Sequence, residues 1–133
     1  MNYYFAKKLN IPFDKAAGIV VEHLSKIGFG IVSEIDMHEK FKAKLGVDFR
    51  KYKILGACSP KHAFQAVSAE EHIGLMLPCN VVIQEKDENS VEVSVIDPVA
   101  SMMAVENKEL EPSAREIQGK LRSFIGDLPV SLV

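Results

Sequence analysis

Two cysteines in 133 residues are too few for a disulfide scaffold. Net charge is just as scarce. Sixteen Lys and Arg stand against 18 Asp and Glu, which leaves −2. That balance supplies no steering field, so neither nucleic acid nor an anionic membrane is an expected partner. Long apolar runs are missing too. The longest, Ile73 to Ile83 (IGLMLPCNVVI), is broken by Pro78 and Asn80. A membrane-spanning helix takes about 20 apolar residues, so this run reads as a buried segment. The opening stretch MNYYFAKKLNIPFDK places lysines inside its apolar part and has no signal-peptide core. No repeat, low-complexity tract or Pro/Gly/Ser linker divides the chain. These absences predict one domain over residues 1–133, with an ordered core over about 1–128, in a reducing cytoplasmic setting where both thiols stay free.

What is present fits a folded core. Hydrophobic residues make up 47% and charged residues 26%, near globular averages, which excludes intrinsic disorder. The periodicity predicts the order β-α-β-α-β-α-β-β-α. A first strand over residues 2–9 puts Tyr3, Phe5 and Leu9 on one face, with Lys7 breaking the pattern. A helix follows Pro12, with Phe13, Ala16, Ala17, Val20, Leu24 and Ile27 inward and Gly28 as its stop. Residues 29–36 alternate as a strand, and Met37, Phe41 and Leu45 mark a short helix before Gly46. Residues 51–58 form a third strand. Ser59 then reads as the cap and Pro60 as the first turn of a helix to about residue 71, with Ala63, Phe64, Val67 and Ala66 inward. Residues 73–85 read as one long strand that bulges, bends or lies at an edge at Pro78. A polar turn joins it to a strand over residues 91–96, which makes an antiparallel hairpin. Met102 and Met103 sit in a short apolar, helix-like segment. A last helix begins at Pro112 and buries Ala114, Ile117, Leu121, Phe124 and Leu128. The predicted class is α+β, a bent antiparallel or mixed five-stranded sheet with helices mainly on one face. A flavodoxin-like parallel sheet is the alternative, because the first three strands alternate with helices.

The common catalytic templates fail. There is no GxxxxGK[ST] and no GxGxxG, no CxxC and no HxxxH. Ser59 lacks the glycine context of a nucleophile elbow. The central stretch carries most of the information. Cys58 and Cys79, 21 positions apart, both sit beside prolines, at Pro60 and Pro78. Irregular backbone of this kind often borders sites. Cys58 precedes a predicted helix N-terminus, where the macrodipole favours a thiolate. Cys79 shares a face with Leu77 and Val81 and reads equally as core. Asn80 points the other way and needs a partner from backbone, ligand or a second subunit. Asp97, before Pro98, reads as a cap or an acid. Glu34 and Asp36 share a strand face that would approach the Cys58 rim if their strands are neighbours. His62, four residues after Cys58, is within reach as a base. The candidate ligand-binding residues are therefore Cys58, Cys79, Asn80, Asp97, His62 and Glu34. No metal site is expected, apart from a composite of both cysteines with a histidine, and no cofactor is specified.

In order, Gly28–Phe29–Gly30 with Glu34, Ile35 and Asp36, then LGAC-x-P (residues 55–60), then IGL-x-LPCNVV (residues 73–82), then Asp97–Pro98 with Met102–Met103, resemble domain-of-unknown-function family 302. The resemblance spans residues 1 to about 128. Ser59 departs from the family's usual Asn. The resemblance implies a fold similar to the TATA-binding-protein-like class and a homodimer. It implies no DNA binding, since fold does not carry function. Three functions stay open: a non-enzymatic small-ligand-binding or sensing homodimer, a thiol-redox or metal- or haem-associated protein using Cys58 and Cys79, and an enzyme with Cys58 as nucleophile and His62 or Asp97 as base.

Overall fold

The computed structural model describes residues 2–133. Five strands form one sheet: β1 (Tyr4–Leu9), β2 (Gly30–Asp36), β3 (Tyr52–Cys58), β4 (Cys79–Asp87) and β5 (Ser90–Ile96). Their order is β1-β5-β4-β3-β2, and every neighbouring pair is antiparallel. The class is α+β, and the parallel flavodoxin-like alternative is excluded. Strands β1 and β2 do not pair at all; they are the two edges.

Five helices join them: α1 (Phe13–Lys26), α2 (Met37–Leu45), α3 (Pro60–Ala69), α4 (Pro98–Ser101) and α5 (Glu111–Asp127). Helix α1 buries Phe13, Ala16, Val20 and Leu24, and α5 buries Ala114, Leu121, Phe124 and Ile125. Both stripes cover the same sheet face, which supplies Leu9, Leu55, Ala57, Val81, Ile83, Val91, Val93 and Val95. Each such side chain withdrawn from water contributes about 1.5–3 kcal/mol. Among the described residues the opposite face carries no long helix, and an open pocket there is lined mostly by strand residues. There Tyr4 and Asn80 are exposed, and Tyr52, Val82, Ser94 and Ile96 are half-buried.

Three expectations need correction. The long fourth strand does not form. Residues Ile73–Met76 wind into a 3₁₀ turn, with Leu75 N donating to His72 O and Leu77 N to Gly74 O. Leu77–Pro78 is a cis peptide, and β4 begins only at Cys79. Pro78 has no N–H to give a ladder, so the strand starts after it. The inner face of α3 is also different. Phe64 is 76% exposed and Val67 47%, while His62 is buried at 5%. This helix turns its small residues and its one satisfied polar ring inward, because its partners lie against its first turn. On β1, Tyr3 is exposed and lies before the strand, and Lys7 takes the inward-facing position. The reason is an end cap. Lys7 Nζ donates to Gly126 O at 2.8 Å and Leu128 O at 2.6 Å, at the C-terminus of α5, where a cation is favoured.

Candidate functional site

The site grows from a β3-to-α3 corner. Strand β3 ends at Cys58, Ser59 stands at the N-cap of α3, and Pro60 is its first helical residue. Pro60 has no N–H and so costs nothing in the first turn. On the neighbouring strand Cys79 pairs in register with Ala57, so the two cysteine motifs arrive at one end of the sheet. Gly56 makes the approach possible. A Cβ there would stand 2.7 Å from Pro78 Cγ and collide with Ser33 Oγ.

A half-enclosed cavity of about 50 Å³ lies between this corner, α3 and α5. Cys58, Ser59, His62, Ala63, Cys79 and Ser113 are among its walls, with Pro78, Met102 and Ile117 adding apolar surface. One water needs roughly 10–15 Å³ of such space, so the cavity accepts a group of a few heavy atoms. Burial pushes the Cys79 thiol up to about 11, and Cys58 beside it adds to the rise. Both cysteines are free.

His62 is the polar centre. Its Nδ1 lies 2.8 Å from Ser59 Oγ and its Nε2 3.2 Å from Glu116 Oε2. An ionised carboxylate only accepts, so Nε2 carries a proton, and in the neutral tautomer Nδ1 then accepts the serine O–H. The hydrogen bond from His62, and the ring's charge when it is protonated, hold the Glu116 carboxyl below its usual range, with Lys120 and Lys61 adding to the pull against the opposing effect of burial. Ser59 sits at the cap position but makes no side-chain cap bond. Its hydroxyl is given to His62 instead. On the far wall Ser113 Oγ is buried and, among the described residues, has no hydrogen-bond partner.

The sequence-predicted residues divide. Cys58, Cys79 and His62 meet in this cavity. Asn80 does not. It pairs with Gly56 and is exposed on the opposite sheet face. Asp97 caps α4, accepting from Val99 N at 3.0 Å, and takes Gln118 Nε2 at 3.0 and 3.2 Å, which ties α4 to α5. Glu34 pairs in register with Leu55 and is ion-paired with Lys53, whose Nζ also lies 3.4 Å from Asp36 Oδ1. Strands β2 and β3 are neighbours, yet Glu34 serves Lys53 and not the Cys58 rim. Burial pulls the Lys53 ammonium down, but its hydrogen bond to Glu34 and the charges of Asp36 and Glu34 outweigh it and leave it raised. The base expected for Cys58 is otherwise engaged: both His62 nitrogens face Ser59 and Glu116. Among the described residues no cluster of three or more His, Cys, Asp or Glu is arranged to hold a metal ion. Among the described residues no helix is long and apolar enough to cross a membrane.

Sequence reasoning passed over Ser59, Ser113 and Glu116 as site residues. The Ser59-x-x-His62 spacing at a helix start was the available signal, since positions three apart face each other. Glu116 has no local signal, because it comes from a helix more than 50 residues away.

No curated protein matches the chain. The crystal structure of an uncharacterized conserved protein DUF302 from Bacillus stearothermophilus matches with a TM-score of 0.87. The match covers 96% of this chain and 99% of that one at 20% identity, a likeness of fold alone. Residues 5–128 match the model for the domain of unknown function DUF302. With that span matched, the motifs around Cys58 and Cys79 have their family: the chain belongs to DUF302.

Proposed function

We propose that this domain binds a small, largely apolar molecule in the cavity between the Cys58–Cys79 sheet end, α3 and α5. One observation carries the reading: an apolar-walled cavity holds an orphaned buried hydroxyl, Ser113 Oγ. Buried polar groups are rarely left without a partner, and a ligand oxygen or N–H would supply one. Ligand-detected NMR with a fragment set tests it. Short apolar fragments bearing one polar atom should bind the wild-type chain, and Ala63→Leu, which fills the cavity from α3, should abolish that binding while the fold persists. Fragments that bind Ala63→Leu equally well would overturn the reading.

The reading includes a homodimer, as the family resemblance implies, in a reducing cytoplasmic setting suited to two free thiols. The half-covered sheet face, with Tyr4, Tyr52, Val82 and Ile96, offers a second copy its apolar surface. Sedimentation should give a dimer mass for the wild type and a monomer for Val82→Glu; a monomeric wild type removes this part.

A second reading rests on a separate observation. Cys58 and Cys79 both line the cavity at one sheet end, and the Cys58 thiol is close enough to raise that of Cys79. Titration of the folded protein with a disulfide reagent should then consume both thiols; two unreactive thiols would leave this reading without support.

A further inference from the structure

The Ser59–His62–Glu116 chain is more than a helix cap. From its geometry we infer that Ser59 is a nucleophilic acyl acceptor for small esters held in the cavity. The inference rests on the ligand-binding reading of that cavity and adds the substrate class.

Three observations support it independently of the cysteines. An N-cap serine ordinarily accepts a hydrogen bond from the second or third helical N–H. Ser59 does not, and its hydroxyl lies 2.8 Å from the Nδ1 of a histidine that is 5% exposed. The other imidazole nitrogen is held by a carboxylate at 3.2 Å, the orienting third group that an activated nucleophile needs. Ser59 is among the residues that line the apolar cavity, so the acyl group of an ester seated there would lie next to this residue. The roles of the two ring nitrogens are exchanged relative to the usual serine triad, but the proton path is the same. Ser59 makes no side-chain cap bond, so the N–H groups that open α3 are left without that partner.

The step balances without any cofactor. Ser59 Oγ forms a bond to the ester carbonyl carbon while its proton passes to His62 Nδ1. The carbonyl oxygen becomes the oxyanion. It collapses, the carbon–oxygen bond to the leaving alcohol breaks, and that alcohol takes the proton from His62. Glu116 holds the Nε2 proton throughout and stabilises the imidazolium. Water then attacks the acyl-serine by the same path and releases the acid.

The test is incubation of the full chain with p-nitrophenyl acetate, following nitrophenolate release and the site of acetylation by peptide mass spectrometry. The acetyl group should appear on Ser59. Ser59→Ala should lose both the label and the release above background. His62→Asn should slow release by about 10²- to 10⁴-fold, the range for a general base. Should that buried substitution fail to fold, Glu116→Gln, on an exposed side chain, should still slow it by about tenfold. Acetyl found on Cys58 or Lys61 instead, or release unchanged in Ser59→Ala, would overturn the inference. Fragment binding that survives alongside absent acylation removes Ser59 as an acceptor and leaves the cavity reading intact. If binding fails as well, both fall.

Discussion

Cys79 and Asn80 are neighbours in the chain and end on opposite faces of the same sheet. Cys79 points to the helix-covered side, where it is 9% exposed and lines the cavity with Cys58, Ser59 and His62. Asn80 points to the bare side, among Tyr52, Val82 and Ser94. The strand period of two enforces this division. One compact sequence motif, Pro78–Cys79–Asn80, therefore serves both faces of the sheet. The inner surface is packed, enclosed and chemically equipped. The outer one is open.

That difference can be broken or sharpened by substitution. The largest effect belongs to the inner face. Phe124→Ala should lower stability by about 3–5 kcal/mol in urea unfolding, as for buried aromatic truncations. A loss under 1 kcal/mol would mean that the helix-covered face is not the principal core. Next is the point where the faces meet. Gly56→Ala should cost about 1–3 kcal/mol, because the Pro78 ring cannot swing aside as the Ser33 hydroxyl can. Parity with wild type would show that Pro78 does not rest on β3.

A pH effect of similar or smaller size should follow from Cys79. Its folded value, about 11, lies above the ordinary 9.0. Between those values the unfolded chain has lost the thiol proton and the folded chain retains it. Stability is therefore fully present below pH 9 and falls as pH rises toward 11, by about 1–3 kcal/mol. Comparing the alkaline limb of wild type with Cys79→Ala isolates this from tyrosine and lysine titration. Parallel limbs would contradict the burial of Cys79. The smallest effect belongs to the outer face. Asn80→Ala should change stability by less than about 0.5 kcal/mol, as exposed substitutions do, and should leave fragment binding in the cavity unaltered. Lost binding would join the two faces into one site.

Most of the fold was legible because its signals are local. Helices α1 and α5 carry clean 3.6-residue stripes, and the β4–β5 hairpin carries alternation on both sides of a polar turn. The errors have local causes too. Residues 73–78 contain apolar side chains at strand spacing, yet Pro78 denies the ladder a donor and Ile73–Met76 coil instead. Lys7 looked like an interruption, because the α5 carbonyls it caps lie over 100 residues away. Phe64 and Val67 looked like the buried stripe of α3, because Glu116, which holds the far side of the buried His62 ring, comes from a distant helix.

The candidate site was half legible. The proline-flanked cysteines pointed to one sheet end, where both line the cavity, and His62 was named for its nearness to Cys58. Its actual partners were missed, since one is a capping residue used in an uncommon way and the other comes from α5. Glu34, Asp97 and Asn80 are polar residues whose tertiary partners, Lys53, Gln118 and the open face, give each a place away from the cavity.

Amide chemical-shift mapping with a short apolar fragment compares the two faces most directly. The account predicts perturbations clustered at Ala63, Cys79, Ser113 and Ile117, around the cavity. Perturbations centred on Tyr52, Asn80 and Ser94 would contradict it, by placing the ligand on the open face of the sheet.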